Sequence, residues 1–159
     1  MNITIQNELA SAVCRTHGAE LLSYKNAAGK EYLWQKDPAY WPKTSPVLFP
    51  YVGAVPENVT IHGKACAIPR HGFVKDMEFS VSGQGADYVV LTVSPNGFTR
   101  SVYPYDFRFS VTFRLNGPSL EVTYGVSQRI PPIISREASR SPASTSSFTP
   151  LAFAPGVLK

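Results

Sequence analysis

The sequence lacks the features of a membrane or exported protein. No apolar run approaches the roughly 18 to 20 residues that a helical membrane span needs. The first ten residues, MNITIQNELA, have no basic region followed by an apolar core, as a signal peptide would. Cysteine is scarce, and Cys14 and Cys66 form no C-x-x-C pair, which argues against a zinc site and a disulfide framework. We therefore expect a soluble, cytoplasmic protein with no membrane partner.

A basic stripe that could follow a nucleic-acid backbone is also missing. The chain carries 15 Lys and Arg against 11 Asp and Glu, with a pI near 9.1. Most of the excess lies in residues 127–159, where four basic residues stand against one acidic residue, Glu137. Residues 1–126 hold the other 11 basic and 10 acidic residues, a net charge of +1. We expect no nucleic-acid partner, because the body of the protein is nearly neutral.

Strand patterns dominate what is present. In residues 107–115, FRFSVTFRL, apolar and polar residues alternate without a break, which predicts a strand with one buried face. A second alternation follows at 120–126, and the NGPS turn at 116–119 joins the two into a hairpin. Shorter strand patterns occur at 3–5, 11–15, 19–25, 31–34, 77–83 and 87–94, and none of the chain shows a helical period over ten residues. The 159 residues therefore predict one all-β domain, or part of one, built as a sandwich or barrel.

Two regions break this pattern. Residues 35–58 hold five of the fourteen prolines and four aromatic residues, so they form either a ligand surface or a loop that packs its own aromatic rings over the sandwich edge. Residues 127–159 hold seven serines and five prolines and lose the alternation abruptly. Such Ser/Pro-rich segments are usually disordered. We interpret 127–159 as an atypical tail, disordered or frame-shifted.

His71 is the most promising of the three histidines. His17 and His62 each precede a glycine, in contexts where an exposed polar residue needs no function, and the spacings of 45 and 9 residues match no metal motif. We therefore expect no metal. His71 lies in RHGFVKDMEF, on the loop that leads into the predicted strand at 77–83. An imidazole there could exchange hydrogen bonds with sugar or carbonyl oxygens, although a lone loop histidine is more often structural.

Four stretches in this order resemble the N-terminal part of the aldose 1-epimerase (galactose mutarotase-like) family: GAELLSY (18–24), EYLWQKDPAYWPKTSPVLFPYVG (31–53), RHGFVKDMEF (70–79) and SVYPYDFRFSVTFRL (101–115). The resemblance covers residues 1–126 and none of the tail. It implies an antiparallel β-sandwich, here incomplete, that binds a hexose. It also implies interconversion of α and β anomers without a cofactor, by an acid at the ring oxygen and a base at the C1 hydroxyl.

The resemblance implies a sugar-binding role for His71, Phe73, Lys75 and Trp41. Lys75 stands where the family commonly has arginine, which keeps the charge but loses bidentate geometry. Ala54 follows the VG of the first loop, where the family often has arginine, so a binding cation is missing. We expect Asp76 to pair with a neighbouring charge.

The family's acid and base lie in motifs downstream of Val126, and no GGHP-like stretch occurs in this sequence. We therefore assign no catalytic residue, and the sequence leaves open whether this chain has mutarotase activity. Our hypothesis is a truncated or frame-shifted homologue that associates with itself through exposed sheet edges. The alternative is a non-catalytic carbohydrate-binding β-sandwich. A hexose phosphate substrate ranks lower, because Arg70 and Lys75 are the only nearby cations.

Overall fold

The computed structural model describes residues 1–56 and 59–129, and it is nearly all β. The predicted tail from residue 130 onward lies outside the described residues. Nine strands, one short helix and a 3-10 turn at Val74–Asp76 make up this part of the chain. The strands are β1 (Asn2–Gln6), β2 (Ala10–Arg15), β3 (Leu21–Asn26), β4 (Thr60–Ile61), β5 (Lys64–Ala65), β6 (Ser80–Gln84), β7 (Tyr88–Val93), β8 (Asp106–Asn116) and β9 (Ser119–Arg129), and the helix is α1 (Gly97–Val102).

The strands form antiparallel sheets, as the sequence predicts. A three-stranded sheet has the order β1-β2-β3, a four-stranded sheet has the order β6-β7-β8-β9, and β4 and β5 form a small hairpin. Strands β1 and β2 lie against β7 and β8, so the two larger sheets face each other across the core. No helix in 1–56 or 59–129 is long and apolar enough to cross a membrane.

The core follows from the alternation in the sequence. In β8 the five apolar residues that the pattern places on one face are all buried, and their polar neighbours face outward. The opposite sheet contributes the alternate residues of β1 and β2. The apolar side chains that meet between the sheets include Ile3, Ile5, Ala12, Cys14, Val89, Leu91, Phe107, Phe109, Val111, Phe113 and Leu115.

The predicted hairpin at 107–126 is confirmed, with a longer second strand. Strands β8 and β9 pair along their whole length, from Asp106 opposite Arg129 to Asn116 opposite Ser119. Gly117 takes a φ of +57°, and Pro118 holds its own φ near −65°, as in a type II′ hairpin turn. β9 therefore runs three residues past the predicted end at 126.

Three local predictions need correction. Residues 31–34 form only an isolated bridge, between Glu31 and Lys25, in which the Tyr32 N–H donates to the Tyr24 carbonyl at 2.9 Å. The Glu31 carboxylate accepts the N–H groups of Tyr24 and Leu33, so the pairing does not extend into a ladder. β6 begins at Ser80 rather than 77. The helix α1 was not predicted from the sequence. Its six residues are too short to show a period, and a capping box between Asn96 and Thr99 starts it.

Candidate functional site

Two loops meet to hold His71 in place. The Phe73 N–H donates to the Phe49 carbonyl at 2.9 Å, and Gly72 lies beside Phe49 in an isolated parallel bridge. The His71 N–H donates at 2.9 Å to the carbonyl of Gly53, which lies four residues after Phe49. The segment 49–53 from the aromatic loop is therefore joined to the segment 71–73, which leads into β6.

This junction requires glycine at position 72. Its φ is +72°, which L-residues rarely adopt. A Cβ built there would lie 1.9 Å from the Phe49 carbonyl oxygen, far inside van der Waals contact. His71 itself has a φ of +66°, an uncommon conformation for a non-glycine residue that its neighbours have to maintain.

The His71 ring is half-buried and makes contacts at both nitrogens. The Gly53 N–H donates to Nδ1 at 3.0 Å, and Arg70 Nε lies 3.4 Å from Nε2. Arg70 is exposed, so the Nε2 side of the ring faces the surface of the protein. An imidazole held in this way can interact with a ligand through Nε2 only.

Phe73 lies below His71 in the aromatic core. Its side chain is 2% exposed, and its ring centroid is 5.8 Å from that of Phe107 and 6.2 Å from that of Tyr103. Phe49 packs edge-on against Phe73 at 6.3 Å. In this structure Phe73 anchors the loop from beneath, and its predicted contact with a sugar stays a prediction.

Lys75 directs its ammonium group back to the same loop. Its Nζ donates to the Gly72 carbonyl at 3.0 Å and pairs with the Asp76 carboxylate. The expected pairing of Asp76 with a neighbouring charge is confirmed. The Lys75 side chain is only 17% exposed, so its cation stabilises the His71 loop in the chain as described.

Trp41 is placed on a separate turn at 37–41. Its N–H donates to the Asp37 carbonyl at 2.9 Å, and its own carbonyl accepts from Trp34 Nε1 at 2.8 Å. The Trp41 side chain is 46% exposed and Tyr40, which packs edge-on against Trp34, is 80% exposed. The turn therefore presents aromatic surface to solvent. Within 1–56 and 59–129, no hydrogen bond or ring contact joins this turn to His71.

The other two histidines occupy turns or strand ends. His62 and Gly63 both have positive φ in the two-residue turn between β4 and β5. His17 forms an isolated bridge with Glu78 and is half exposed. Within 1–56 and 59–129, no group of three or more His, Cys, Asp and Glu side chains could hold a metal ion.

Two residues that shape this site were not predicted from the sequence. Glu20 is 3% exposed, and its carboxylate accepts the N–H of Thr44 at 2.8 Å and pairs with Arg15. It therefore fastens the aromatic loop to the end of β2. The second residue is Gly53. Its position in VGA after the aromatic loop is visible in the sequence, but that position does not indicate a contact with His71.

Two clefts lie elsewhere on the described surface. One, of about 560 Å³, is lined by residues of β5 and its flanks together with Val55, Pro56 and Ser101. The other, of about 360 Å³, lies between the start of β6 and the end of β7. Neither is lined by His71 or the other predicted sugar contacts.

Comparison with known proteins identifies the same family as the resemblance in the sequence. The family model for aldose 1-epimerase matches residues 1–131. The chain belongs to the aldose 1-epimerase family. The match ends five residues beyond Val126, where the sequence resemblance ends.

Individual proteins are similar to this chain over a comparable span. Protein LacX (plasmid) of Lactococcus lactis subsp. lactis is 34% identical over 132 aligned positions, which cover 79% of this chain and 44% of LacX. A galactose mutarotase related enzyme from Lactobacillus acidophilus is 34% identical with a TM-score of 0.76, over 81% of this chain and 44% of that one. A galactose mutarotase-like protein from Lactobacillus casei is 32% identical with a TM-score of 0.77, over 80% and 44%. The chain thus spans less than half the length of these relatives.

Proposed function

We propose that this protein is an aldose 1-epimerase homologue that binds a free hexose through His71. The supporting observation is the His71 loop, in which backbone hydrogen bonds from two segments hold the ring with Nε2 toward the surface. Family membership makes a sugar the reasonable ligand for such a group. The names of the similar Lactobacillus proteins, which refer to galactose mutarotase, support the same ligand class.

The reaction proposed for the whole site is the interconversion of α and β anomers. It needs an acid to protonate the ring oxygen and a base to take the C1 hydroxyl proton, so that the ring opens, the aldehyde rotates and the ring closes again. In the described residues, the charged groups on the His71 loop are Arg70, Lys75 and Asp76, and the latter two pair with each other. We propose that the acid-base pair is not part of residues 1–129.

The second candidate is carbohydrate binding without catalysis. The observation that favours it is the commitment of Lys75 and Asp76 to the loop itself, which leaves the imidazole without a partner for proton transfer from its own segment. In this case the protein binds a hexose and does not change the rate at which its α and β anomers interconvert.

A polarimetric assay separates the two functions. Freshly dissolved α-glucose or α-galactose is followed to anomeric equilibrium with and without the protein, and sugar binding is measured in parallel by calorimetry. Acceleration supports the epimerase reaction within this chain. Binding without acceleration supports the second candidate, and the absence of both binding and acceleration contradicts hexose as the ligand.

We also propose that the protein associates with itself through β9. In the part of the chain that the structure describes, β9 is the last strand of its sheet and pairs only with β8. Tyr124 and Val126, on the apolar face of β9, are 38% and 42% exposed. A strand of eleven residues that has apolar side chains and no partner on its outer edge among the described residues is a template for pairing with another strand.

A further inference from the structure

A reciprocal pair of hydrogen bonds connects His71 to Gly53. The His71 N–H donates to the Gly53 carbonyl at 2.9 Å, and the Gly53 N–H donates to His71 Nδ1 at 3.0 Å. The first bond fixes the backbone of His71, and the second fixes the orientation of its ring. Both Gly53 and His71 have positive φ, an uncommon backbone conformation that places their N–H and carbonyl groups for this contact.

The second bond determines where the ring carries its proton. A backbone N–H can only donate, so Nδ1 has to offer a lone pair. A neutral imidazole has one N–H and one lone pair. With Nδ1 as the acceptor, the proton of the neutral ring resides on Nε2.

Arg70 favours the opposite assignment, and its contact is the weaker one. Its guanidinium carries donors only, and Nε lies 3.4 Å from His71 Nε2, against 3.0 Å for the Gly53 bond. Arg70 is exposed and can turn its donors to water, whereas the Gly53 amide is part of the half-buried junction. The Gly53 bond therefore decides the tautomer, and Arg70 and His71 then both present donors to the same region.

We propose that the Gly53 amide holds the neutral His71 ring in the Nε2–H tautomer, which makes His71 a hydrogen-bond donor to a sugar oxygen. Gly53 is thus the positioning residue for His71. The sugar half of this inference rests on the proposed function, and the tautomer does not. Two donors, Arg70 Nε and His71 Nε2, suit a ligand atom that accepts two hydrogen bonds, such as a hydroxyl, ring or carbonyl oxygen.

This assignment also limits what His71 can do in a reaction. With Nδ1 occupied by Gly53 and Nε2 already protonated, the neutral ring has no free lone pair with which to remove a proton. His71 therefore binds and polarises an oxygen, and it does not act as the base at the C1 hydroxyl.

The tautomer is measured directly by long-range ¹⁵N–¹H correlation NMR on the uniformly labelled full chain at neutral to mildly alkaline pH. The variants His17→Asn and His62→Asn assign the three histidine spin systems. The expected result is a pyrrole-like Nε2 and a pyridine-like Nδ1 for His71 in the free protein. A pyridine-like Nε2, or averaged shifts at both nitrogens, overturns the proposal.

The variant His71→Asn separates donation from loop structure. Asparagine accepts a positive φ, and its Oδ1 can take the Gly53 N–H in place of Nδ1, but it has no group in the position of Nε2. We expect an unchanged melting temperature and unchanged protection of the Gly53 amide from hydrogen exchange, with hexose affinity reduced about tenfold, the upper range for one neutral hydrogen bond. Wild-type affinity in His71→Asn contradicts the donor role. The control His71→Ala is expected to lose both the Gly53 contact and the affinity.

Failure of the proposed function gives a different pattern. If the wild-type protein binds no hexose, while His71 carries its proton on Nε2, the sugar assignment is wrong and the role of Gly53 stands. If hexose binds and the proton lies on Nδ1, the proposed function stands and this inference is wrong.

Discussion

Gly72 is the residue on which the His71 loop depends most. Its positive φ and its proximity to the Phe49 carbonyl both exclude a side chain. His71 and Phe73 on either side point in different directions, one toward the surface and one into the core. A single glycine thus allows a surface imidazole and a core anchor to be neighbours in the chain.

Gly72→Ala is expected to lower the free energy of unfolding by more than about 2 kcal/mol, because strain at positive φ adds to the clash with Phe49. The matched control is Gly29→Ala, where φ is +78° and nothing lies within 4 Å of the added Cβ. The control is expected to cost about 1 kcal/mol. Urea unfolding of both variants measures the difference, and equal losses would contradict the close approach of the two loops.

The buried thiol of Cys14 makes a contribution to the free energy of unfolding that is lost at high pH. Burial between the sheets raises the pKa of its thiol from 9.0 to about 11, because the interior disfavours the thiolate. The folded state therefore favours the protonated thiol, and this contribution is complete below about pH 9 and declines as the pH rises toward 11. Relative to Cys14→Ala, the wild type should lose about 2 kcal/mol across this window. Parallel pH profiles of the two proteins would exclude a buried thiol.

At the scale of elements, the strands were predictable and the junctions between loops were not. The alternation at 107–126 specifies both the hairpin and its buried face, because successive side chains of a strand point to opposite faces of the sheet. His71 was singled out from its place in RHGFVKDMEF, and its contact with a sugar stays a prediction. Its contact with Gly53 joins residues 18 apart through the backbone N–H of Gly53 and the ring Nδ1 of His71, and no alternation of apolar and polar residues encodes such a contact. Residues 31–34 were misassigned for a related reason, since the Glu31 carboxylate competes for backbone donors.

Glu20 is predicted to be the attachment point of the aromatic loop. Glu20→Ala leaves the Thr44 N–H without its acceptor in a buried position, which is expected to cost about 1–3 kcal/mol. Limited proteolysis should then cleave within 35–53 faster than in the wild type. Glu20→Gln keeps an acceptor oxygen and serves as the control. Equal cleavage of all three proteins would show that the loop is held by other contacts.

At the scale of the whole molecule, the described residues form two facing sheets with a site on one loop and a free edge at β9. The chain matches under half the length of its relatives in the aldose 1-epimerase family. The proposed sugar contact at His71 and the proposed strand pairing at β9 lie on different elements, so we expect that each can be altered without the other.

Val126→Lys is expected to shift the protein toward the monomer, because a charge on an edge strand opposes pairing. The control Phe98→Lys makes the same change in charge at an apolar residue of α1 that is 57% exposed and lies outside the sheet. Sedimentation velocity over a range of concentrations measures the distribution of species. A wild type that stays monomeric at all concentrations would contradict association through β9.

Titration of the ¹⁵N-labelled full chain with glucose and with galactose measures whether His71 contacts a hexose. The His71 Nε2 resonance is followed, and His17 and His62 serve as internal references. We expect a saturable shift of the His71 Nε2 resonance with at least one sugar, while the resonances of His17 and His62 do not move. No shift at His71, or equal small shifts at all three histidines, would contradict it.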